Sequence, residues 1–198
     1  MAALRAQVNP HFLFNSLNTI GVTALVGDSK TVMQMVEATG KILRYSLYHQ
    51  EPMTFLDDEL DIVLQYLFLQ KCRFGDAVRS EIQNDFEGEE IKIPTMSIQP
   101  IVENCFKHGF GNKEKLNIHI TIAQGEDGIL ISVMDDGMGF DTAQKKTGGI
   151  GLENIRKRLE LLYGKEESWL QVESVLGEYT CINLNIPQKG DKGESSDC

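Results

Sequence analysis

Ile118-His119-Ile120-Thr121-Ile122-Ala123, the polar turn Gln124-Gly125-Glu126-Asp127-Gly128, and Ile129-Leu130-Ile131-Ser132-Val133-Met134-Asp135 decide the fold. Two short β-branched runs joined by a glycine-containing turn read as a pair of strands. The second run ends in Asp135-Asp136-Gly137-Met138-Gly139, which places a carboxylate at the edge of the sheet.

Working outward, Val78–Phe86 and Ile91–Ile93 read as further short strands, and Ser97–His108 as a helix. Gly151–Tyr163 reads as another helix, and Trp169–Val175 pairs with Tyr179–Ile186 through a turn at Gly177. Mixed strands with helices on one face indicate an α+β sandwich. Leu56–Arg73 reads as an amphipathic helix whose first-turn acids, Asp57, Asp58 and Glu59, suit the positive end of the helix dipole.

Upstream of Pro52 the period is helical throughout. Ala6, Leu13, Leu17, Ile20 and Ala24 line one face of a first helix. Gly27-Asp28-Ser29 supplies a turn and a cap, and Val32, Met35, Val36, Thr39, Ile42 and Leu43 form the stripe of a second helix. Two helices bury too little surface alone, so a second copy of the hairpin is expected to complete a four-helix bundle in a homodimer. The expected division is a hairpin at 1–51, a sandwich domain at 52–187, and a polar, disordered tail at 188–198.

The 198-residue chain carries a formal net charge of −10, and its basic residues do not cluster, which argues against nucleic acid as a partner. Its apolar runs are far shorter than the roughly 20 residues needed to cross a bilayer. Met1-Ala2-Ala3-Leu4 shows no secretory signal, so a cytosolic (cytoplasmic) location is expected for this stretch, with room for an upstream segment. Cys72, Cys105, Cys181 and Cys198 are scattered without a CxxC pair and read as incidental thiols.

Three segments carry chemistry: Gln7-Val8-Asn9-Pro10-His11-Phe12-Leu13-Phe14-Asn15, Glu103-Asn104-Cys105-Phe106-Lys107-His108-Gly109, and the pair of glycine boxes at Asp135–Gly139 and Gly148–Asn154. At about 100° per residue His11 and Asn15 share a face, turned at least about 120° from Leu13, Leu17, Ile20 and Ala24. An isolated histidine is ordinarily a plain surface residue. Here Phe12 and Phe14 flank a ring displayed on a rigid helix, where a neutral imidazole can attack phosphorus if its other nitrogen donates to Asn15 or Asn9. Pro10 points to a kink or a helix start beside it.

Asn104 and Lys107 share a helix face, a carboxamide suited to a hydrated Mg2+ and an ammonium suited to phosphate. Asp135 can accept from an exocyclic amine, which separates adenine from guanine, while Gly137 and Gly139 permit close backbone approach. Gly148-Gly149-Ile150-Gly151-Leu152 opens a helix whose free N–H groups suit an anion. Lys145, Lys146 and Thr147 lie in a connecting stretch fit to serve as a lid. Each box alone also fits a plain turn or a solvated helix; their order makes the set informative.

From Gln7 to Pro187 the sequence resembles the sensor histidine kinases of the LytS type, whose catalytic domain has the Bergerat ATP-binding fold shared with DNA gyrase, a heat-shock chaperone and mismatch-repair ATPases. The resemblance rests on NPHFLFN at Asn9–Asn15, ENCFKHG at Glu103–Gly109, DDGMGF at Asp135–Phe140 and GGIGLENIRKRL at Gly148–Leu159. It implies a phosphoacceptor at His11, a magnesium ligand at Asn104, phosphate contacts at Lys107 and His108, and an adenine-binding carboxylate at Asp135. Gly137, Gly139, Gly149, Gly151 and Leu152 would frame the nucleotide, with ATP and Mg2+ as the implied cofactors. It further implies a response regulator that takes the phosphoryl group onto an aspartate, and a membrane sensor upstream.

Two departures from related patterns bear on mechanism. Phe12 stands where many histidine kinases carry an acid after the phosphoacceptor, which leaves Glu103, Asn15 and Asn9 as candidates for the supporting base. Pro100 stands where hydrolytic relatives carry a water-activating glutamate, which favours transfer to His11 over hydrolysis. The rival readings are an ATPase or protein-serine kinase of the anti-sigma type, which leaves the histidine hairpin without purpose, and a dimerisation scaffold without turnover.

Overall fold

A computed structural model describes residues 10–49, 51–86, 90–125, 128–141, 150–164 and 169–188. Ala6, the expected lid at 145–147 with Gly148 and Gly149, and the tail from 189 onward lie outside them.

The helical hairpin comprises α1 (Pro10–Leu25) and α2 (Ser29–Tyr48). Gly27, at φ +83°, makes the turn, and Asp28 caps α2 by accepting the N–H of Thr31 at 3.0 Å. The stripe on α2 is as read at Met35, Thr39 and Ile42, which are buried. On α1 the buried residues are Phe12 and Ser16, whereas Leu17 is 54% exposed and Ala24 is exposed. The helix is rotated because Phe12 finds an aromatic partner, Tyr66, at 5.0 Å between ring centroids. The hydroxyls below it cost little to turn inward, since Ser16, Thr19 and Thr23 donate to the carbonyls one turn back.

Downstream lie β1 (Met53–Phe55), α3 (Leu56–Phe74), β2 (Val78–Asn84), β3 (Lys92–Pro94), α4 (Gln99–His108), β4 (Leu116–Gln124), β5 (Gly128–Asp135), α5 (Ile150–Tyr163), β6 (Trp169–Val175) and β7 (Tyr179–Pro187). The main sheet runs β2-β4-β5-β7-β6, with β2 parallel to β4 and the other pairs antiparallel. The strand read at Ile91–Ile93 is β3, which pairs not with the main sheet but with β1, a strand absent from the sequence reading, in a small separate ribbon.

Alternation along the strands decides which face is buried. Ile118, Ile120 and Ile122 lie opposite Asp135, Val133 and Ile131 in register, and all of these isoleucines and the valine are essentially inaccessible. Leu60 and Val63 of α3, Ile101, Val102 and Cys105 of α4, and Leu152, Ile155 and Leu159 of α5 belong to the same core. The result is the expected α+β layer of helices on one sheet face. Truncating one of these isoleucines to alanine costs about 2–5 kcal/mol in such a core.

Glu59 departs from its expected place. Asp57 and Asp58 face solvent at the start of α3, but Glu59 is completely buried. Its carboxylate accepts from Tyr45 Oη at 2.6 Å and from the backbone N–H groups of Met96 (2.5 Å), Ser97 (3.2 Å) and Ile98 (3.2 Å). It thereby caps α4 from another helix, and α4 has no side-chain cap of its own. Burial still pushes its carboxyl above the ordinary value, against the opposing effect of these donors.

Candidate functional site

Because the side-chain period of a strand is two, Asp135 shares the core face of β5 with Ile131 and Val133. It is 4% exposed and sits at the strand end beneath α4. The N–H of Gly137 donates to its Oδ1 at 3.0 Å, and the Cys105 thiol lies beside it. Burial raises the Asp135 carboxyl above its ordinary value, with the Gly137 N–H and Cys105 thiol pulling it back. The same burial, then the charge of Asp135, lifts the Cys105 thiol well above its usual range, so it remains an S–H donor.

The neighbouring acid is used differently. Asp136 accepts from the Asn117 N–H at 2.7 Å and the Asn117 amide at 2.5 Å, and its carbonyl accepts from Lys113. That fixes the loop and leaves Asp135 as the carboxylate of the pair available to a ligand.

Gly109, last residue of ENCFKHG, explains how two distant boxes meet. Its carbonyl accepts the N–H of Met138 at 2.9 Å, and a Cβ on Gly137 would strike the Gly109 backbone. A Cβ on Gly109 would in turn strike Leu116 and crowd Asp135. Gly139 lies at φ +52° against the backbone of Val175 and Tyr179, where only glycine fits without strain. Neither Gly109 nor Cys105 was singled out by sequence reasoning; a glycine closing a helix directly before a loop was the available signal.

On α4, Asn104 is half-buried, and Lys107 and His108 are exposed. Gly151 lies in the first turn of α5, where an added Cβ would only touch Pro100 at 3.8 Å. Leu152 is buried in the core, so its side chain serves packing. Among the described residues no three His, Cys, Asp or Glu side chains gather into a metal site. A Mg2+ held by Asn104 would therefore draw its remaining ligands from phosphate and water, as a hard hydrated ion does. The donor set fits that role.

His11 is exposed on α1, with the Asn15 amide nitrogen 3.2 Å from Nδ1 and 3.3 Å from Nε2. Half a turn of the amide presents Oδ1 in its place, an acceptor for the ring N–H. Phe12 is buried, while Phe14 is 68% exposed, so only one of the two flanking rings anchors the histidine. His11 and Asn15 line a cleft of about 520 Å³ together with Glu103 and Lys107 of α4. A larger cleft of about 850 Å³ between α3 and the β2–β4 edge is lined by Leu64, Arg79 and His119 and, among the described residues, holds none of the motif residues.

Among the described residues, no helix is long and apolar enough to cross a membrane.

Residues 1–78 match the histidine kinase family, and residues 90–190 match the family described as histidine kinase-, DNA gyrase B-, and HSP90-like ATPase. The chain is 33% identical over 195 residues to the sensor histidine kinase YesM of Bacillus subtilis, covering 96% of this chain and 34% of that protein. It is 33% identical over 205 residues to the sensor protein LytS of Staphylococcus epidermidis, covering 97% of this chain and 34% of that protein. It thus spans about a third of the length of these relatives. The histidine kinase domain of a blue-light activated kinase from Erythrobacter litoralis shares the fold at 16% identity and a TM-score of 0.53, over 80% of this chain and 73% of that one. The chain belongs to the family described as histidine kinase-, DNA gyrase B-, and HSP90-like ATPase, with its first part matching the histidine kinase family.

Proposed function

We propose that the chain is the catalytic core of a two-component sensor kinase, which phosphorylates His11 from ATP and passes the phosphoryl group to an aspartate of a response regulator. One observation carries this reading. A single helix, α4, borders the buried Asp135 on one side and, through Glu103 and Lys107, shares a cleft with His11 on the other.

In this reading Asp135 accepts a hydrogen bond from the exocyclic amine of adenine. Gly137 and Gly139 let the backbone approach the base, and Gly151 and the first-turn N–H of Leu152 lie toward the phosphates, with Gly149, outside the described residues, given the same role from the motif alone. Lys107 and His108 neutralise phosphate charge, and Asn104 holds Mg2+, whose chemistry when bound is to offset charge on the transferred group. Asn15 orients the His11 ring, and Glu103 supports the proton balance. An imidazole nitrogen then attacks the γ-phosphorus in line.

The hairpin at 1–51 is the dimerisation and phosphotransfer element and 52–187 the catalytic domain. The homodimer covers the apolar residues left exposed on the hairpin, among them Leu17, Val22 and Val36. In the full-length protein this core works on the cytoplasmic side of a membrane sensor.

Incubation with γ-labelled ATP tests the assignment. The label should be stable to alkali, labile to acid and missing from His11→Gln. Label that persists in that variant sinks the role given to His11.

A further inference from the structure

The cleft that holds His11 has an apolar floor and a cationic wall. The floor is a run of rings: Phe12 on Tyr66 at 5.0 Å, Tyr66 on Phe106 at 5.6 Å, Phe106 on Phe74 at 6.3 Å, and Phe74 on Phe110 at 4.6 Å. It joins α1 to α3 and α4 and keeps water off one side of the cleft. Lys107 follows Glu103 by four residues and Asn104 by three, so it stands between the cleft face and the nucleotide face of α4.

The second cation, Arg73, comes from the last turn of α3 and lines the same cleft. Its guanidinium rests 4.6 Å over the Phe74 ring, which limits the directions its donors can take. Among the described residues it forms no salt bridge. Its charge is felt at the Tyr66 hydroxyl, as is that of Glu103, which brings all three groups to one place. Burial keeps that phenol neutral, so the fixed positive charges of the cleft are Arg73 and Lys107.

We infer that this cleft receives the phosphoryl group in transit, and that Arg73 is a catalytic residue whose N–H groups grip the phosphoryl oxygens on the histidine side. A guanidinium fork matches those oxygens two at a time, as an ammonium cannot. The N–P bond forms between an imidazole nitrogen of His11 and the γ-phosphorus as the P–O bond to the β-phosphate breaks. ADP leaves with that electron pair. The proton on the other ring nitrogen is released to solvent by way of the Glu103 carboxylate, which lines the same cleft, and Arg73 stays protonated throughout.

The inference rests on His11 being the acceptor, so the test carries the His11→Gln control beside Arg73→Gln and Arg73→Lys. Arg73→Gln is expected to lower kcat for labelling roughly 100-fold, the usual loss of one charge-stabilising donor, with KM for ATP within about twofold. Arg73→Lys should recover about a tenth of wild-type rate or more. Wild-type labelling in Arg73→Gln overturns the assignment, as does a loss carried by KM or one that Arg73→Lys fails to relieve.

A second measurement needs no turnover. Phosphoramidate phosphorylates histidine without ATP, and the His11→Gln control identifies the resonance of phospho-His11 in the phosphorus NMR spectrum. That phosphoryl group should titrate at lower pH in wild type than in Arg73→Gln, because an adjacent cation favours its dianion. Coincident titrations overturn the role of Arg73. Label or resonance surviving in His11→Gln overturns instead the reading of His11 itself.

Discussion

Tyr45 Oη donates to Glu59 Oε1 at 2.6 Å, so the second helix of the hairpin is bonded to the carboxylate that caps the Asn104-bearing helix. A hydrogen bond to a charged group is worth about 1.5–3 kcal/mol. Tyr45→Phe should lower the midpoint of thermal unfolding by several degrees, with ATP affinity reduced as α4 loosens. An unchanged melt in a calorimeter counts against the link.

Asp135 gives a pH prediction with a definite sign. Burial raises its native carboxyl above the ordinary 3.8, so the folded chain holds the proton more tightly than the unfolded chain. Its contribution to stability is therefore full below that ordinary value and is lost as pH rises through the native one. Asp135→Asn should melt about 2–4 °C above wild type at pH 7, the size of roughly 1 kcal/mol in a chain this long, and the gap should close toward pH 4. The same variant should bind ATP at least about tenfold more weakly, for want of the acceptor. A wild type more stable than the variant at pH 7 rejects the argument.

Gly137 and Gly109 are pressed backbone to backbone, which leaves no room for a methyl group on Gly137. Gly137→Ala should cost about 1–3 kcal/mol by overpacking, and isothermal titration should detect little or no ATP binding. Gly151→Ala, whose new methyl would only touch Pro100, makes the matched control and should retain the wild-type melt.

One chain supplies His11, Glu103 and Lys107 to the same cleft, so transfer is expected within a chain. Mixed dimers of His11→Gln with Asn104→Asp each lack one half of the reaction. They should take up no label, whereas labelling of the Asn104→Asp partner would show transfer between chains.

The strands and the order of the boxes were legible because each is local: an isoleucine-rich run, a glycine pair, a histidine one turn before an asparagine. The side of α1 that turns inward was not. Phe12–Ser16 and Leu13–Leu17 repeat at the same spacing, and only the Tyr66 ring, more than fifty residues away, selects the first. Glu59 was misplaced for the same reason, since its donors at Met96, Ser97 and Ile98 are remote in sequence and are backbone groups that any residue supplies. β1 is three residues long and is defined by its pairing with β3, which no local propensity records. Asp135 and Asp136 look equivalent as letters. Strand parity sends the first to the core face, and Asn117 claims the second.

The parallel pairing of β2 with β4 sets an order of assembly. A parallel neighbour cannot be reached by a tight turn, and here the intervening crossover contains α4. Strand β2 leaves the ribosome before its partner exists and must wait, edge open, until α4 and β4 have followed. The β4–β5 hairpin, joined by a short turn, is free to form as soon as it is made. Pulse-labelled amide exchange during refolding should accordingly protect β4 and β5 ahead of β2, so that the segment carrying α4 is also the one that times closure of the sheet.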